Sequence, residues 1–214
     1  MRVSGSICVW RAGSPFNDSE RELFEYLASQ AAVSVENVGQ HELAVREAVT
    51  DALTGLANRR HFDERLEHEV ERARSLGTEV ALVLLDIDDF KRVNDSYGHQ
   101  TGDEVLRGVA GVLRTTSRDP DTPGRIGGEE LAVVLPGAGL DGAEEFAERV
   151  RGRIAALVFT PEDPRSGEPF SVTASLGVSG SRGAVANGPD LVAAADVALY
   201  QAKRAGKNRT VVAR

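Results

Sequence analysis

One run constrains this chain more than any other: "EVALVLLDID", residues 79–88, in which an unbroken apolar stretch is bounded by charges. A stretch that short, rich in valine and leucine, predicts a strand near 79–86 buried on both faces. Such a strand needs a cover on each side. The sequence offers helical patterns at 59–76, closed by Gly77, and at 101–116. Two more lie in "LDGAEEFAERVRGRIAAL" and in "PDLVAAADVALYQAKRAGKN", the latter with Gly206 as its stop. "DDFKRVND" predicts a short helix before a turn at Gly98. "RIGGEELAVVLPG" predicts two strands meeting at Gly127-Gly128, a pair suited to the positive φ of a hairpin. "FSVTASLGVSG" and "RTVVAR" predict further strands, while "SRDPDTPG" and "PEDPRSGEP" predict loops. Strands separated by helices, with one hairpin, make an α/β (α+β) sandwich whose helices cover a central sheet.

The first fifty residues follow another pattern. "SICVWR", 6–11, predicts a short strand, and "AGSPFNDSE" a loop in which Asp18 or Ser19 caps the next helix. From Glu20 to Val49, Phe24, Ala28, Ala31, Val35, Val38, Val45 and Val49 recur in steps of three and four, with Glu42 filling the one gap. That is a heptad seam, suited either to a parallel dimer or to packing on the chain's own domain. "TDALTGLANRR" breaks the periodicity, so a boundary is expected near residue 50. The expected divisions are 1–19, 20–50 and 51–214.

Composition narrows the chemistry. At 214 residues the chain is long enough for one ordinary domain with an extra piece. A net charge of −8 argues against broad binding to nucleic acid or acidic membranes, so a polyanionic ligand would need local cations. Cys8, the one cysteine, excludes an intrachain disulfide and suits a reducing cytoplasm. No signal-type apolar core or run of about 18 apolar residues occurs, so no span is expected. His41, His61, His68 and His99 show no metal-ligand spacing.

Carboxylates and amides gather at the ends of predicted elements. Asp86 stands where the buried strand runs out, Glu129 and Glu130 leave the hairpin turn, and Asn94 and Asp103 flank the turn between two helices. Two carboxylates ~4 Å apart repel by roughly 4 kcal/mol at an effective dielectric of ~20, so converging acids require a cation. Hard oxygens from adjacent strands suit Mg²⁺, which commonly completes its shell with substrate phosphates. Taken singly, each motif has a bland alternative. "GGEE" reads as a solvated hairpin, Asp86, Asp88 and Asp89 as a helix cap, and Lys91, Lys203 and Lys207 as helix surface.

Together they carry a family resemblance. "DALTGL-NRR", "DIDDFKRVND--GH--GD", "RIGGEEL" and "ADVALYQAKRAGKNR" occur in order and at familiar spacings, and residues 51 to about 212 resemble the GGDEF family of diguanylate cyclases. The resemblance implies a mostly antiparallel central sheet wrapped by helices, similar to the palm of nucleotide polymerases and nucleotidyl cyclases. It implies condensation of two GTP to cyclic di-GMP with release of pyrophosphate, and a Mg²⁺ (or Mn²⁺) cofactor. Asp86 and Glu129 would be metal ligands, assisted by the Ile87 carbonyl, and Glu130 would act near the attacking 3′-hydroxyl. Gly127 and Gly128 would let the backbone approach the triphosphate. Asn94 and Asp103 would read the guanine edge. Phe90 and Lys91 would pack and hydrogen-bond around the phosphates, and Lys203 and Lys207 would hold the β and γ phosphates. A carboxylate such as Asp103 independently matches the two donors of guanine.

The motif departs from the commonest family signature in three places: Glu129 for Asp, Leu131 for Phe and Ile126 for an aromatic. "RDPD", Arg118 to Asp121, resembles the family's RxxD inhibitory site for cyclic di-GMP, with Arg149 where a secondary arginine is expected; the bland alternative is an internal ion pair. "FNDSERELFEYLASQAAVSVENV" weakly resembles the exit helix of a GAF sensor. Partners implied are GTP, cyclic di-GMP and a second copy through the N-terminal helix. A catalytically silent GGDEF-like module is the rival expectation, and a cyclase for another purine a third, which Asp103 opposes.

Overall fold

The computed structural model describes residues 6, 8–10, 12–161, 167–181 and 187–213, with the backbone alone described over 36–47. The chain divides into two compact units, Met1–Ala48 and Val49–Arg214.

In the first unit, helix α1 (Asp18–Val49) begins slightly earlier than its periodicity suggests. Its cap is Asn17 rather than Asp18 or Ser19. The Glu20 N–H donates to Asn17 Oδ1 at 2.9 Å and the Asn17 N–H to Glu20 Oε2 at 2.8 Å. This reciprocal box satisfies two otherwise free N–H groups. On the expected seam, Phe24, Ala28 and Ala31 are half-buried and Val35 is exposed. Leu23 and Leu27, both exposed, widen the apolar face beside them. The side chains of Val38, Glu42 and Val45 lie outside the described residues. The strand expected at 6–11 does not form at residues 6 and 8–10, where Cys8, Val9 and Trp10 are exposed; residues 7 and 11 lie outside the description. A strand needs a paired neighbour, and none pairs with these residues among those described.

The second unit is built on the apolar run. Strand β1 (Val80–Ile87) is buried along its whole length. It pairs antiparallel with β3 (Glu130–Pro136) on one side and β4 (Ala174–Gly180) on the other. β2 (Thr122–Arg125) joins β3 antiparallel, and β5 (Thr210–Val212) joins β4 parallel, giving the order β2-β3-β1-β4-β5. Side chains alternate across a strand, so β1 feeds two cores. Val80, Leu82 and Leu84 pack with α2 (Arg59–Leu76) and α5 (Gly188–Arg204). Ala81, Val83, Leu85 and Ile87 pack with α3 (Phe90–Thr116) and α4 (Leu140–Ala155). The expected mostly antiparallel sheet wrapped by helices is therefore present.

Helix stops follow sequence chemistry. Asn58 caps α2 by accepting from the His61 N–H at 3.0 Å, and Gly77 closes it in the left-handed region at φ 64°. α3 combines the two helices expected on either side of Gly98, which breaks helical geometry at φ 83° and ψ 161°.

Three expectations change. Part of "SRDPDTPG" is strand, because β2 begins at Thr122 and includes Pro123. Proline is tolerated there because β2 is an edge, where its missing N–H breaks no ladder bond. That edge is also occupied: the Ala57 N–H donates to the Pro123 carbonyl at 3.1 Å, and the Arg125 N–H to the Ala57 carbonyl at 2.8 Å. At the start of "FSVTASLGVSG", Phe170 makes only an isolated bridge to Phe159, and β4 begins at Ala174. Gly127 and Gly128 do not adopt positive φ.

α5 lies directly on β4. A Cβ at Gly177 would press on the Ala195 carbonyl and the Leu199 backbone nitrogen. Backbone cannot retreat as a flexible side chain can, so Gly177→Ala should destabilise the second unit by roughly 1–3 kcal/mol or more. A urea melt showing no shift in midpoint would contradict this packing.

Candidate active site

The ends of β1 and β3 define the site. Asp86 lies opposite Glu130 in antiparallel register. As the next even position after Leu84, Asp86 projects on the α5 side of the sheet, and there Lys203 Nζ sits 2.7 Å from its Oδ2. Here is the cation that the converging acids require. Asp86 is only 8% exposed. Burial pushes its carboxyl above the usual range and Asp88 adds to this, while Lys203 and, more weakly, Lys207 oppose it. Glu129 is also pushed up, by burial first and then by Asp86 and Glu130, against the pull of Lys203. Both acids gain when positive charge arrives.

The "DIDD" stretch separates its acids by role. Asp88 is buried and satisfied: it accepts from Thr173 Oγ1 at 2.7 Å, Ser175 Oγ at 2.7 Å and the Asn208 N–H at 3.0 Å. It therefore ties β1, β4 and the segment after α5 together. Asp89 occupies the cap position of α3 at φ 56° but makes no side-chain cap bond. Its carboxylate instead accepts from Lys207 Nζ at 2.6 Å. That bond holds the Asp89 carboxyl below its usual range and the Lys207 ammonium above its own. Both lysines assigned to phosphate by resemblance thus rest on carboxylates.

The hairpin turn is held from outside. Arg125 Nη2 donates to the Gly128 carbonyl at 2.7 Å, and its Nε lies 3.2 Å from the Gly127 carbonyl and 3.1 Å from that of Gly128. Its Nη1 meets both Asp51 oxygens at 3.2 Å. Asp51 also accepts from the Thr54 N–H at 2.9 Å and Thr54 Oγ1 at 2.7 Å. Arg59 Nη1 adds a bond to the Ile126 carbonyl at 3.1 Å. Sequence reasoning passed over Arg125 and Asp51 as parts of longer motifs; the signal was an arginine two residues before a Gly-Gly turn. The glycine requirement is also different from that expected. A Cβ at Gly127 would collide with the Glu130 carboxylate, whereas Gly128 faces open space.

The pair expected to read guanine lies across the Gly98 kink. Asn94 and Asp103 are both half-buried. A Cβ on Gly102, next to Asp103, would strike Asn94 Oδ1 and come within 3.3 Å of the Phe90 ring. The two halves of α3 therefore meet at Asn94 and Gly102, and sequence reasoning missed Gly102. Phe90 is buried in the core, while Lys91 is exposed.

The "RDPD" loop forms a local pair. The Arg118 N–H donates to Asp121 Oδ2 at 3.0 Å, and Arg118 Nε lies 3.8 Å from Oδ1. The arginine side chain is 69% exposed and the aspartate 3%. Burial pushes the Asp121 carboxyl up, against Arg118. Arg149 lies on α4 over the Phe146 ring at 5.8 Å, and no hydrogen bond or ion pair joins it to Arg118 or Asp121 among the described residues.

The donor set at β1 and β3 fits a small hard cation. Asp86 and Glu129 are raised carboxylates, and a lysine ammonium already sits on one of them. Among the described residues no three His, Cys, Asp or Glu side chains form a ready cage. Mg²⁺ suits such a site, because it takes one or two carboxylates and completes its shell elsewhere.

Comparison with known proteins agrees with this geometry. The model of the family described as "Diguanylate cyclase, GGDEF domain" matches residues 48–209. Diguanylate cyclase DgcP of Pseudomonas aeruginosa is 46% identical over 168 residues, 78% of this chain and 24% of that protein. Response regulator PleD of Caulobacter vibrioides is 44% identical over 164 residues, 77% of this chain and 36% of that protein. The chain thus spans about a quarter to a third of these relatives. The solved coiled coil and GGDEF domain of DgcB from Caulobacter crescentus, in complex with cyclic di-GMP, matches with a TM-score of 0.79 at 34% identity, covering 89% of this chain and 99% of that one. The active GGEEF domain of a diguanylate cyclase from Vibrio cholerae matches with a TM-score of 0.68 at 33% identity, over 74% of this chain and 98% of that one.

The clamp yields a pH prediction. Burial would raise the Asp51 carboxyl, but the Thr54 hydroxyl and N–H and Arg125 together hold it below its usual range. A carboxyl lowered by folding stabilises the fold above its unfolded pKa of about 3.9, and that stabilisation fades as pH falls through the lowered value. Asp51→Asn should cost about 1–3 kcal/mol near neutrality. The gap from wild type in urea midpoint should close on acidification below about pH 4. A gap independent of pH would show that the charge does not contribute.

Proposed function

The chain belongs to the GGDEF family of diguanylate cyclases, and from that premise we propose that residues 51–214 condense two GTP into cyclic di-GMP. The 3′-hydroxyl of one GTP attacks the α-phosphorus of the other; the new O–P bond forms as the bond to the bridging oxygen breaks, and pyrophosphate leaves. Two such steps close the ring. The observation that carries this reading is the Asp86–Lys203 seat opposite Glu130, a cation already held where phosphoryl charge must be neutralised.

Asp86 and Glu129, with the Ile87 carbonyl, would hold Mg²⁺ (or Mn²⁺), which when bound lowers the pKa of the hydroxyl and screens phosphoryl charge. Glu130 lies beside the attacking hydroxyl. Gly127 and Gly128 leave room for the triphosphate, and Lys91 and Phe90 flank it. Lys203 and Lys207 exchange Asp86 and Asp89 for the β and γ phosphates. Asn94 and Asp103 take the guanine edge, and adenine would leave Asp103 unpaired. Arg118 and Asp121, with Arg149, form the inhibitory cyclic di-GMP site. The seam of α1, residues 20–50, pairs two copies, and residues 1–19 are the end of a GAF-like sensor in a cytoplasmic protein.

Incubation with GTP and Mg²⁺, with products resolved by chromatography, tests the reading: cyclic di-GMP and pyrophosphate are expected. Glu130→Gln should abolish product while leaving the urea midpoint unchanged. ATP should be turned over at least ~100-fold less efficiently than GTP. Comparable use of ATP would overturn the base-reading assignment.

Arg118→Ala should weaken cyclic di-GMP inhibition at least ~10-fold, since charge-assisted hydrogen bonds contribute roughly 1.5–3 kcal/mol each. An unchanged inhibition constant would leave "RDPD" as a plain loop.

A further inference from the structure

The kink in α3 falls between Asn94 and Asp103, and Gly98 does nothing by itself to hold its angle. Its φ of 83° and ψ of 161° suit glycine, it is exposed, and no atom beyond its chain neighbours lies within 4 Å of its Cβ position. Glycine is the residue least restricted in φ and ψ, so contacts elsewhere have to fix the angle between the two halves. Local ones are Thr101 Oγ1, which donates to the Tyr97 carbonyl at 3.0 Å, and the meeting of Asn94 with Gly102. Aromatic rings supply a longer path. Tyr97, the residue before the kink, stacks on Phe170 with ring centroids 4.2 Å apart and planes 6° from parallel. The Phe159 N–H donates to the Phe170 carbonyl at 2.8 Å and the Phe170 N–H to the Phe159 carbonyl at 2.9 Å, with the two rings 5.9 Å apart. The Phe159 ring then rests on the second half of α3 at Gly108, where a Cβ would come within 2.8 Å of it. Glycine inside a helix is unfavourable relative to alanine, and the seat for this ring is what it provides.

We propose that the Tyr97–Phe170–Phe159 bracket sets the angle between the two halves of α3 and with it the spacing of Asn94 and Asp103, which makes Tyr97 and Phe170 positioning residues for the purine edge. The inference rests on the diguanylate cyclase reading and adds to it the device that holds the base-reading pair in register. Phe90 and Val93, both buried, anchor the start of the first half-helix in the core. Its other end is held at Tyr97, one turn after Asn94. A recess of about 270 Å³, lined by Arg92, Ser96, Tyr97, Phe170 and Thr173 among others, lies beside the stack. The half-helix is therefore not packed flush on residues 170–173 and meets them through the rings. Two groups that must engage one base edge together have to be held within about 0.5 Å of the productive geometry, so a loosened kink separates them before it unfolds anything else.

Binding of non-hydrolysable GTP and ITP analogues, measured by calorimetry with Mg²⁺ present, tests the role. Hypoxanthine lacks the 2-amino donor of guanine, so wild type should prefer the guanine analogue by ~10-fold or more, the value of one charge-assisted hydrogen bond. Phe170→Ala and Tyr97→Ala should each weaken the GTP analogue at least ~10-fold and bring the two affinities within ~3-fold of each other. Tyr97→Phe keeps the ring and should match wild type. A variant that weakened both analogues equally and kept the preference would overturn the positioning role. Amide hydrogen exchange without nucleotide tests the bracket separately. In Phe170→Ala, residues 94–97 should exchange at least ~10-fold faster while β1 keeps its protection, because only the local opening is made easier. Unchanged exchange at 94–97 would overturn the bracket itself. Wild-type protein that bound neither analogue would overturn the diguanylate cyclase reading and the recognition role with it.

Discussion

The guanidinium of Arg125 is the interaction on which the geometry of the candidate site depends. Glu129 and Glu130 leave a turn without the positive-φ glycines that would make its shape intrinsic. Instead, Arg125 gathers the Gly127 and Gly128 carbonyls and fixes them to Asp51, which Thr54 orients in turn. A planar donor with five N–H groups binds two carbonyls and a carboxylate in one fixed geometry, which the rotatable donors of a flexible lysine do not impose. Asp51 is the second residue after α1 ends, so the turn is referenced to the start of the catalytic unit rather than to its own strands alone.

A second set of contacts joins the end of β1 to the end of α5. Asp86 meets Lys203, Asp88 accepts from the Asn208 N–H, and Asp89 meets Lys207. Only Asp88 is fully satisfied by neutral donors, and only it serves as a permanent structural tie. Asp89 and Lys207 are both exposed, a pair that contributes little to stability, whereas Asp86 is a buried acid held by a half-exposed lysine. The same four-residue stretch therefore supplies one brace to neutral donors and two ion pairs to lysines.

Much of this was legible in the sequence wherever periodicity and end chemistry agree. The uniform apolar run marked β1, Gly77 and Gly98 marked a stop and a kink, and the spacing of four motifs placed Asp86, Glu129 and Glu130 at one edge. Most of the misses share a cause, since they depend on contacts that no local pattern announces. Nothing local in "TPG" says that Ala57 will occupy its edge and make it a strand. Gly127 reads as a turn residue until the Glu130 carboxylate fills its Cβ position. Asp88 and Asp89 read as cap residues, because the partners that distinguish them lie in 173–175 and 207–208. Asn17 was passed over as a cap for a different reason: its reciprocal bond with Glu20 was overlooked in favour of nearer polar residues.

The sheet's margins have a consequence for how copies of this molecule can associate. At β2, Pro123 offers no N–H and Ala57 already occupies the outer groups; at the far side, β5 is only three residues long. A strand from another chain finds no long open ladder to extend at either margin. Continuous cross-chain sheet growth, the route to fibres, is thereby blocked at both ends.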